Sequence, residues 1–403
     1  MTERTVLIDL TPLDTPSRWR GTGRYLRALS SGLSKLSDTE RQGLRVLGLT
    51  RLGWDGSFEV TEDVGAFEGH KELEHPTEQD HYRVSWAKRM GLWRAVRAIR
   101  PDLVHLGDPQ GTPLLRTATR CRWVVTCMDL IPMQYPERYF SARDGGVAVG
   151  RMIARRRYAS ADHVVAISEA TKHDLVRFFG MAPERISRVY NGVDLEAWRK
   201  EPGLGAREAI ERHGLWGKRY LLYVGDTDWR KNVEGMIEGI AWARARGSDV
   251  VLALAGVLSE ARARRVDQLA REAQVQEQVV RLGFVSDDDL LALYRGALAH
   301  LFVSRAEGFG LTVVEAMAAG CPVITTRRTS LAEVAGQAAL LVDPEDAGDI
   351  GAAITKLASS EPERARLVEL GREQAGRFSM EAQGRGMIEV WKRVMGGSLS
   401  AGG

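Results

Sequence analysis

Short runs of Val, Ile and Leu recur along the chain, separated by stretches of helical period. VLIDL, RVLGLT, DLVHL, RWVVTCM, HVVAIS and ISRVY fall in the first half, and YLLYVG, VVLALAG, VVRLGFV, HLFVS, CPVITT and AALLVD in the second. A run that is apolar at nearly every position has no polar face to give to water. It predicts a strand buried on both sides, as in parallel sheets covered by helices. Two such series predict an α/β protein made of two Rossmann-like, doubly wound domains. The stretch 196–217 has no strand run and several glycines, so it reads as a linker between a first domain at 1–195 and a second at 218–380. FSMEAQGRGMIEVWKRVM starts too late to belong to the second sheet, and 381–398 predicts a helix that crosses back to the first domain.

The totals agree with this and narrow the function. A chain of 403 residues is too long for one compact core. The formal net charge of +3 is too weak to draw nucleic acid by bulk electrostatics, and no nucleic-acid motif is present. Three cysteines (Cys121, Cys127, Cys321) without C-x-x-C spacing suit a reducing compartment. MTERTVLIDL lacks the apolar length of a signal peptide and reads as a first strand, and no run reaches membrane-span length. A cytoplasmic protein is expected.

In open parallel sheets ligands bind beyond the carboxyl ends of the strands, so the loops after the strand runs are where chemistry is sought. HLFVS leads into RAEGFG and then LTVVEAMAA, a helix stopped by Gly320 with Pro322 close behind. Gly308 and Gly310 let backbone approach a ligand, and the helix start offers N–H groups and a positive dipole end to an anion. Glu307 before the helix and Glu315 about one turn inside it can each accept from hydroxyls. A sugar nucleotide supplies sugar hydroxyls, a diphosphate and a ribose diol together. The plain alternative is a capped amphipathic helix with a solvated Glu315. YLLYVG runs into DTDWRKN, which sets Arg230 and Lys231 where a departing diphosphate could be neutralised. Their plain alternative is a solvated pair before a helix capped by Asn232.

E-G-F-G-L-T-V-V-E followed by A-M-A-A-G-C-P-V-I resembles the E-x7-E signature of the retaining glycosyltransferases of family 4, whose GT-B architecture sets two Rossmann-like domains facing across a cleft. The resemblance runs through GTGRYLRAL, VVTCMDLIPMQYPERY, AISEATKHDL, YNGVD, YVGDTDWRKN, LGFVSDDDLLALY and SLAEVAGQAALLVDP. It implies that Glu307 lies near the donor sugar, that Glu315 holds the ribose and that Arg230 and Lys231 grip the diphosphate. With them it implies a donor site of Gly225, Gly308, Phe309, Gly310, Leu311 and Thr312. Gly21, Thr22 and Gly23 would form the acceptor-side loop. It implies a nucleotide-sugar as substrate, no cofactor and no metal. The form of the YVG…RKN segment resembles bacterial surface-polysaccharide enzymes, which puts GDP-mannose first as donor and UDP-sugars second, with a glycan or lipid-linked acceptor.

One position departs from the pattern. Relatives often read Thr-x-His-Asp where this chain reads Thr126-Cys127-Met128-Asp129. Methionine neither shuttles a proton nor donates a strong hydrogen bond. Retention survives with the leaving phosphate as base; the alternative reading is a weakly active or inactive sugar-nucleotide-binding subunit of a glycosylation complex. Asp129 is a catalytic candidate whose plain reading is a turn cap.

Other signals carry less. SDDDL (286–290) reads as Ser286 capping a helix with acids in its first turn, and not as a D-x-D metal motif. GTGRY is no dinucleotide fingerprint. His105 fits a hydrogen-bonded structural role better than a cleft role. In SWAKRMGLWRAVRAIR (85–100), Trp86, Met90, Trp93 and Val96 or Arg97 form one stripe among Lys88, Arg89, Arg94 and Arg100. It fits packing under the first sheet, and it also fits peripheral contact with an anionic membrane.

Overall fold

The computed structural model describes residues 3–15, 18, 21–41, 43–53, 55, 57–67, 91–112, 120–140, 146–201, 203 and 205–396. The chain divides into two compact units, Met1–Gly192 with Ser379–Gly403, and Val193–Phe378.

The first unit is built on β1 (Arg4–Asp9), β2 (Leu44–Leu52), β3 (Phe58–Thr61), β4 (Leu103–Leu106), β5 (Arg122–Cys127), β6 (His163–Ala166) and β7 (Ile186–Arg188), in the order β3-β2-β1-β4-β5-β6-β7. Strands β1, β2 and β4 to β7 pair in parallel, while β3 runs antiparallel to β2 at the edge. All six runs read from the sequence are strands. β3 was not foreseen: no residue of FEVT is buried and Glu59 and Val60 are exposed, and an edge strand with a wet face lacks the continuous apolar run that marks its neighbours.

The helix Met380–Gly396 belongs to this unit and lies against the helix Gly21–Ser34. Contact is close because two glycines meet there. A Cβ on Gly32 would fall 1.9 Å from the Met380 carbonyl, and one on Gly384 3.1 Å from the Gly32 carbonyl carbon. Trp391 is fully buried and its Nε1–H donates to His105 Nδ1 at 3.0 Å. With Nδ1 accepting, the neutral ring carries its proton on Nε2, which lies 2.9 Å from Thr126 Oγ1 and 3.2 Å from Tyr25 Oη. His105 is therefore a buried junction joining β4, β5 and both helices, which is the structural role expected of it. Burial pushes its pKa down to about 3. In the unfolded chain it titrates near its ordinary value, so the unfolded state binds the proton first as pH falls. The stability contributed by the neutral ring is complete above about pH 6.5 and is lost progressively as pH falls toward 3. We expect His105 alone to cost on the order of 2 kcal/mol between pH 6.5 and 5. Denaturant unfolding of the wild type and of His105→Gln at both pH values checks this; the difference should shrink in the variant.

Of the basic segment 85–100, Trp86, Lys88, Arg89 and Met90 lie outside the described residues. In its helical part, 91–99, Leu92, Ala95 and Val96 are buried and the Trp93 ring sits 6.0 Å from Trp123. Arg94 and Arg97 are exposed. This part packs on the sheet.

The second unit holds β8 (Tyr220–Val224), β9 (Val251–Ala255), β10 (Val279–Gly283), β11 (Ala299–Phe302), β12 (Val323–Thr326) and β13 (Leu340–Val342), all parallel, in the order β10-β9-β8-β11-β12-β13. Between 196 and 217 the chain forms the helices Leu195–Arg199 and Ala206–Arg212, which lie in this unit. The strand order reverses at β8 and β11, so their following loops flank the switch point of the sheet, where such folds take ligands. All three cysteines are free and buried. No helix among the described residues is long and apolar enough to cross a membrane.

Candidate active site

The loop after β8 and the loop after β11 are sewn together. Asn232 takes a left-handed backbone (φ 58°) and its side chain accepts from Gly235 N–H, starting the helix Val233–Arg244. The same side chain donates through Nδ2 to Val303 O at 3.2 Å and to Pro344 O at 2.7 Å. Arg305 N–H donates to Arg230 O at 2.7 Å, and the Arg305 guanidinium reaches Trp229 O at 3.1 Å and Glu345 at 2.8 Å. Asp228 caps the short turn Trp229–Lys231 that carries both cations.

On this frame Glu307 meets Arg230 and Lys231. Lys231 Nζ lies 2.6 Å from Glu307 Oε1, and an Arg230 nitrogen lies 3.5 Å from Oε2. Arg230 Nε also faces Asp228 at 3.4 Å. The side chains of Glu307 and Lys231 are only 10% and 14% exposed. Lys231 is therefore not solvated and Arg230 is half-buried, against the plain reading of the pair, while Asn232 does cap the next helix as that reading has it. Lys231 Nζ also stands 5.0 Å from the Phe302 ring centroid.

The Gly-Phe-Gly turn is fixed from beneath. Phe309 is buried edge-to-face on Phe378, with centroids 5.6 Å apart. Ser330 Oγ donates to the carbonyls of Glu307 (2.9 Å) and Phe309 (3.2 Å). Gly310 has φ 110°, and a Cβ there would fall 2.4 Å from Leu331 Cδ2. No side chain caps the helix Leu311–Ala319 that begins there. Glu315 is 2% exposed, so the plain reading of a solvated glutamate also fails. Gly225 has φ 153°, and a Cβ there would meet Tyr223 Oη at 2.7 Å. Thr227, Ser304 and Thr312 each hold a buried hydroxyl with no hydrogen-bond partner among the described residues. Orphaned buried hydroxyls are uncommon, and these three lie on the two loops and the helix start. Gly310→Ala is expected to destabilise this unit by about 1–3 kcal/mol through the left-handed backbone and the Leu331 clash. Chemical denaturation with a fluorescence readout checks it.

Of these residues, sequence reasoning missed the supporting set: Ser330, Arg305, Tyr223 and the two extra bonds of Asn232. Ser330 and Arg305 stood inside quoted motifs, but their partners are distant in sequence, and only the fold reveals them.

The first unit holds the remaining candidates. Gly21 is exposed, Thr22 half-buried and Gly23 buried; a Cβ on Gly23 would fall 2.3 Å from Arg18 O. Met128 and Asp129 follow β5 and are half-buried. Asp129 Oδ1 accepts from Ile131 N–H at 3.1 Å, the bond of a turn cap. At 286–290, Ser286 accepts from Asp289 N–H and caps the helix Asp287–Gly296, as expected. Among the described residues no group of three or more His, Cys, Asp or Glu is placed to hold a metal.

Two doubly wound units, one with an E-x7-E helix at its switch point, define the GT-B class. Residues 19–197 match the family model "Glycosyltransferase Family 4", and 207–374 match "Glycosyl transferases group 1". The chain belongs to the family 4 type of GT-B glycosyltransferases. It is 24% identical over 406 residues to the serotype-specific mannosyltransferase WbdA of Escherichia coli, covering 97% of this chain and 48% of that one. It is 29% identical over 226 residues to the O-antigen chain mannosyltransferase B of Escherichia coli, covering 55% and 58%. The chain thus spans about half the length of the curated relatives it matches. The sucrose-phosphate synthase structure from Thermosynechococcus elongatus shares the fold, with a TM-score of 0.75 at 21% identity over 98% of this chain and 99% of that one.

Proposed function

We propose that the protein is a retaining glycosyltransferase that takes a sugar from a nucleotide-sugar and attaches it to a glycan or lipid-linked acceptor in surface-polysaccharide synthesis, at the cytoplasmic side. GDP-mannose is the first donor to test, favoured by the mannosyltransferase relatives, and UDP-sugars come second. One observation carries the reading: Glu307 sits between Lys231 and Arg230 on the two loops that flank the β8/β11 switch point.

In this reading Lys231 and Arg230 take the donor diphosphate, helped by the helix start at Leu311–Thr312 and the backbone of Gly225, Gly308, Phe309 and Gly310. Glu307 accepts from hydroxyls of the sugar and Glu315 from the ribose. Before donor arrives, Glu307 and Asp228 hold both cations in place, so little reorganisation is needed when charge develops. The bond from the anomeric carbon to the diphosphate breaks and a bond to the acceptor oxygen forms on the same face. The acceptor proton passes to the leaving phosphate. Neutralisation of the leaving group falls to protein cations, and the reading includes no metal or other cofactor. The acceptor side belongs to Gly21, Thr22, Gly23 and Met128 of the first unit, with Asp129 as a further catalytic candidate.

Met128 supports a second reading, a donor-binding subunit with weak or no transfer. A panel of GDP-, UDP- and ADP-sugars with mannosides and a lipid-linked glycan, followed by NMR of the anomeric proton, separates the two. Product with the donor's anomeric configuration supports the first. Calorimetric binding without product across the panel supports the second.

A further inference from the structure

The helix Gly146–Ala159 buries little of itself. Its inner side is made of small residues: a Cβ on Gly150 would fall 2.3 Å from the Phe140 ring, and Ala154 is half-buried beside it. Among the helix's residues only Tyr158 is fully buried, stacked on Phe179 with centroids 5.8 Å apart. The outer side carries Val149, Met152 and Ile153, exposed by 36%, 46% and 36%. With Arg156 they stand at i, i+3, i+4 and i+7, a single stripe along the helix. Arg151 and Arg155 are exposed on the same helix, Arg157 follows, and the fourteen residues include no Asp or Glu.

Single exposed apolar side chains are ordinary, but three on one stripe form a patch. Three exposed guanidiniums, Arg151, Arg155 and Arg156, on a helix without a carboxylate of its own, select an anionic occupant. Arginines set within and beside the apolar stripe suit a surface where both kinds of group find partners at once. The boundary of an anionic bilayer is such a surface: apolar tips enter the acyl edge while guanidiniums stay at lipid phosphates. The described part of 85–100 offers no such stripe, because its apolar side faces the sheet.

We propose that the outer face of Gly146–Ala159 is a docking surface for an anionic membrane, with Val149, Met152 and Ile153 entering the interface and Arg151, Arg155 and Arg156 binding lipid phosphates. The surface is independent of the donor site, so it stands or falls apart from the transferase reading.

Sedimentation of the full chain with phosphatidylglycerol or phosphatidylcholine vesicles, without donor or acceptor, tests it. Binding is expected to the anionic vesicles and to weaken with salt and in phosphatidylcholine. Each arginine near such a surface contributes roughly fivefold, so Arg151→Glu/Arg155→Glu/Arg156→Glu should lower partitioning by well over tenfold. Met152→Asp/Ile153→Asp should also lower it by at least about tenfold. Because all these side chains are exposed, melting temperature and donor turnover on a water-soluble acceptor should be unchanged. Three results would overturn the proposal: no anionic-vesicle binding, binding untouched by either variant, or binding abolished instead by Arg89→Glu/Arg94→Glu. Equal binding to a soluble polyanion with none to vesicles would also overturn it.

Discussion

An Arg230→Ala/Lys231→Ala enzyme is expected to transfer sugar at least about 10³-fold more slowly than wild type. Preorganised donors that meet charge developing on a leaving group are each worth about 10²–10³ in rate, and here two converge from one turn. Of the neighbouring cations, the Arg305 guanidinium is engaged with Trp229 O and Glu345, and Arg262 lies 3.9 Å from Asp228. Removing both cations leaves Glu307, 10% exposed, without its charge partners, which costs stability as well. Lys231→Arg is therefore the informative companion. It keeps the charge but replaces a compact ammonium with a planar fork, so the fold should hold while turnover falls less steeply. Steady-state kinetics beside a thermal melt checks both variants. Turnover within about threefold of wild type in the double variant would remove these residues from the chemistry.

Glu307→Gln should behave differently. The change keeps shape and removes one negative charge, leaving Arg230 and Lys231 short of a counter-ion. Affinity for the nucleoside diphosphate should be kept or raised, while transfer should fall by about 10²–10³-fold because the carboxylate no longer faces the sugar. Calorimetry with GDP and UDP, alongside kcat, reads the two effects separately. A loss of nucleotide affinity with transfer preserved would make Glu307 a scaffold for the cations and not a contact to the sugar.

Most of the twelve strand runs were legible because parallel strands buried on both faces must be apolar throughout; β10, an edge strand with no fully buried residue, was legible because Val279, Val280 and Leu282 still give it an apolar run. β3 escaped because an exposed edge has no such requirement. Glu307, Arg230 and Lys231 could be picked out by residue type and loop position. Their pairing could not, since it depends on Asn232 and Arg305 tying together loops more than seventy residues apart in sequence. Glu315 shows the limit of a helical-face argument. It lies on a helix whose residues from Val313 to Ala319 are all buried, so periodicity could not say whether its carboxylate met water. The basic stretches show the same limit from the other side. The segment 85–100 has the more aromatic stripe in sequence, yet in its described part that stripe is packed. Gly146–Ala159 drew no notice, because an exposed apolar stripe and a buried one read alike until the rest of the sheet is placed.

The most direct measurement is a calorimetric titration of GDP-mannose, then UDP-sugars, into wild type and the Arg230→Ala/Lys231→Ala variant. The account predicts saturable binding of at least one sugar nucleotide to wild type, weakened by at least about tenfold in the variant. Failure of every nucleotide-sugar to bind at millimolar concentration, or equal binding to both proteins, would contradict it.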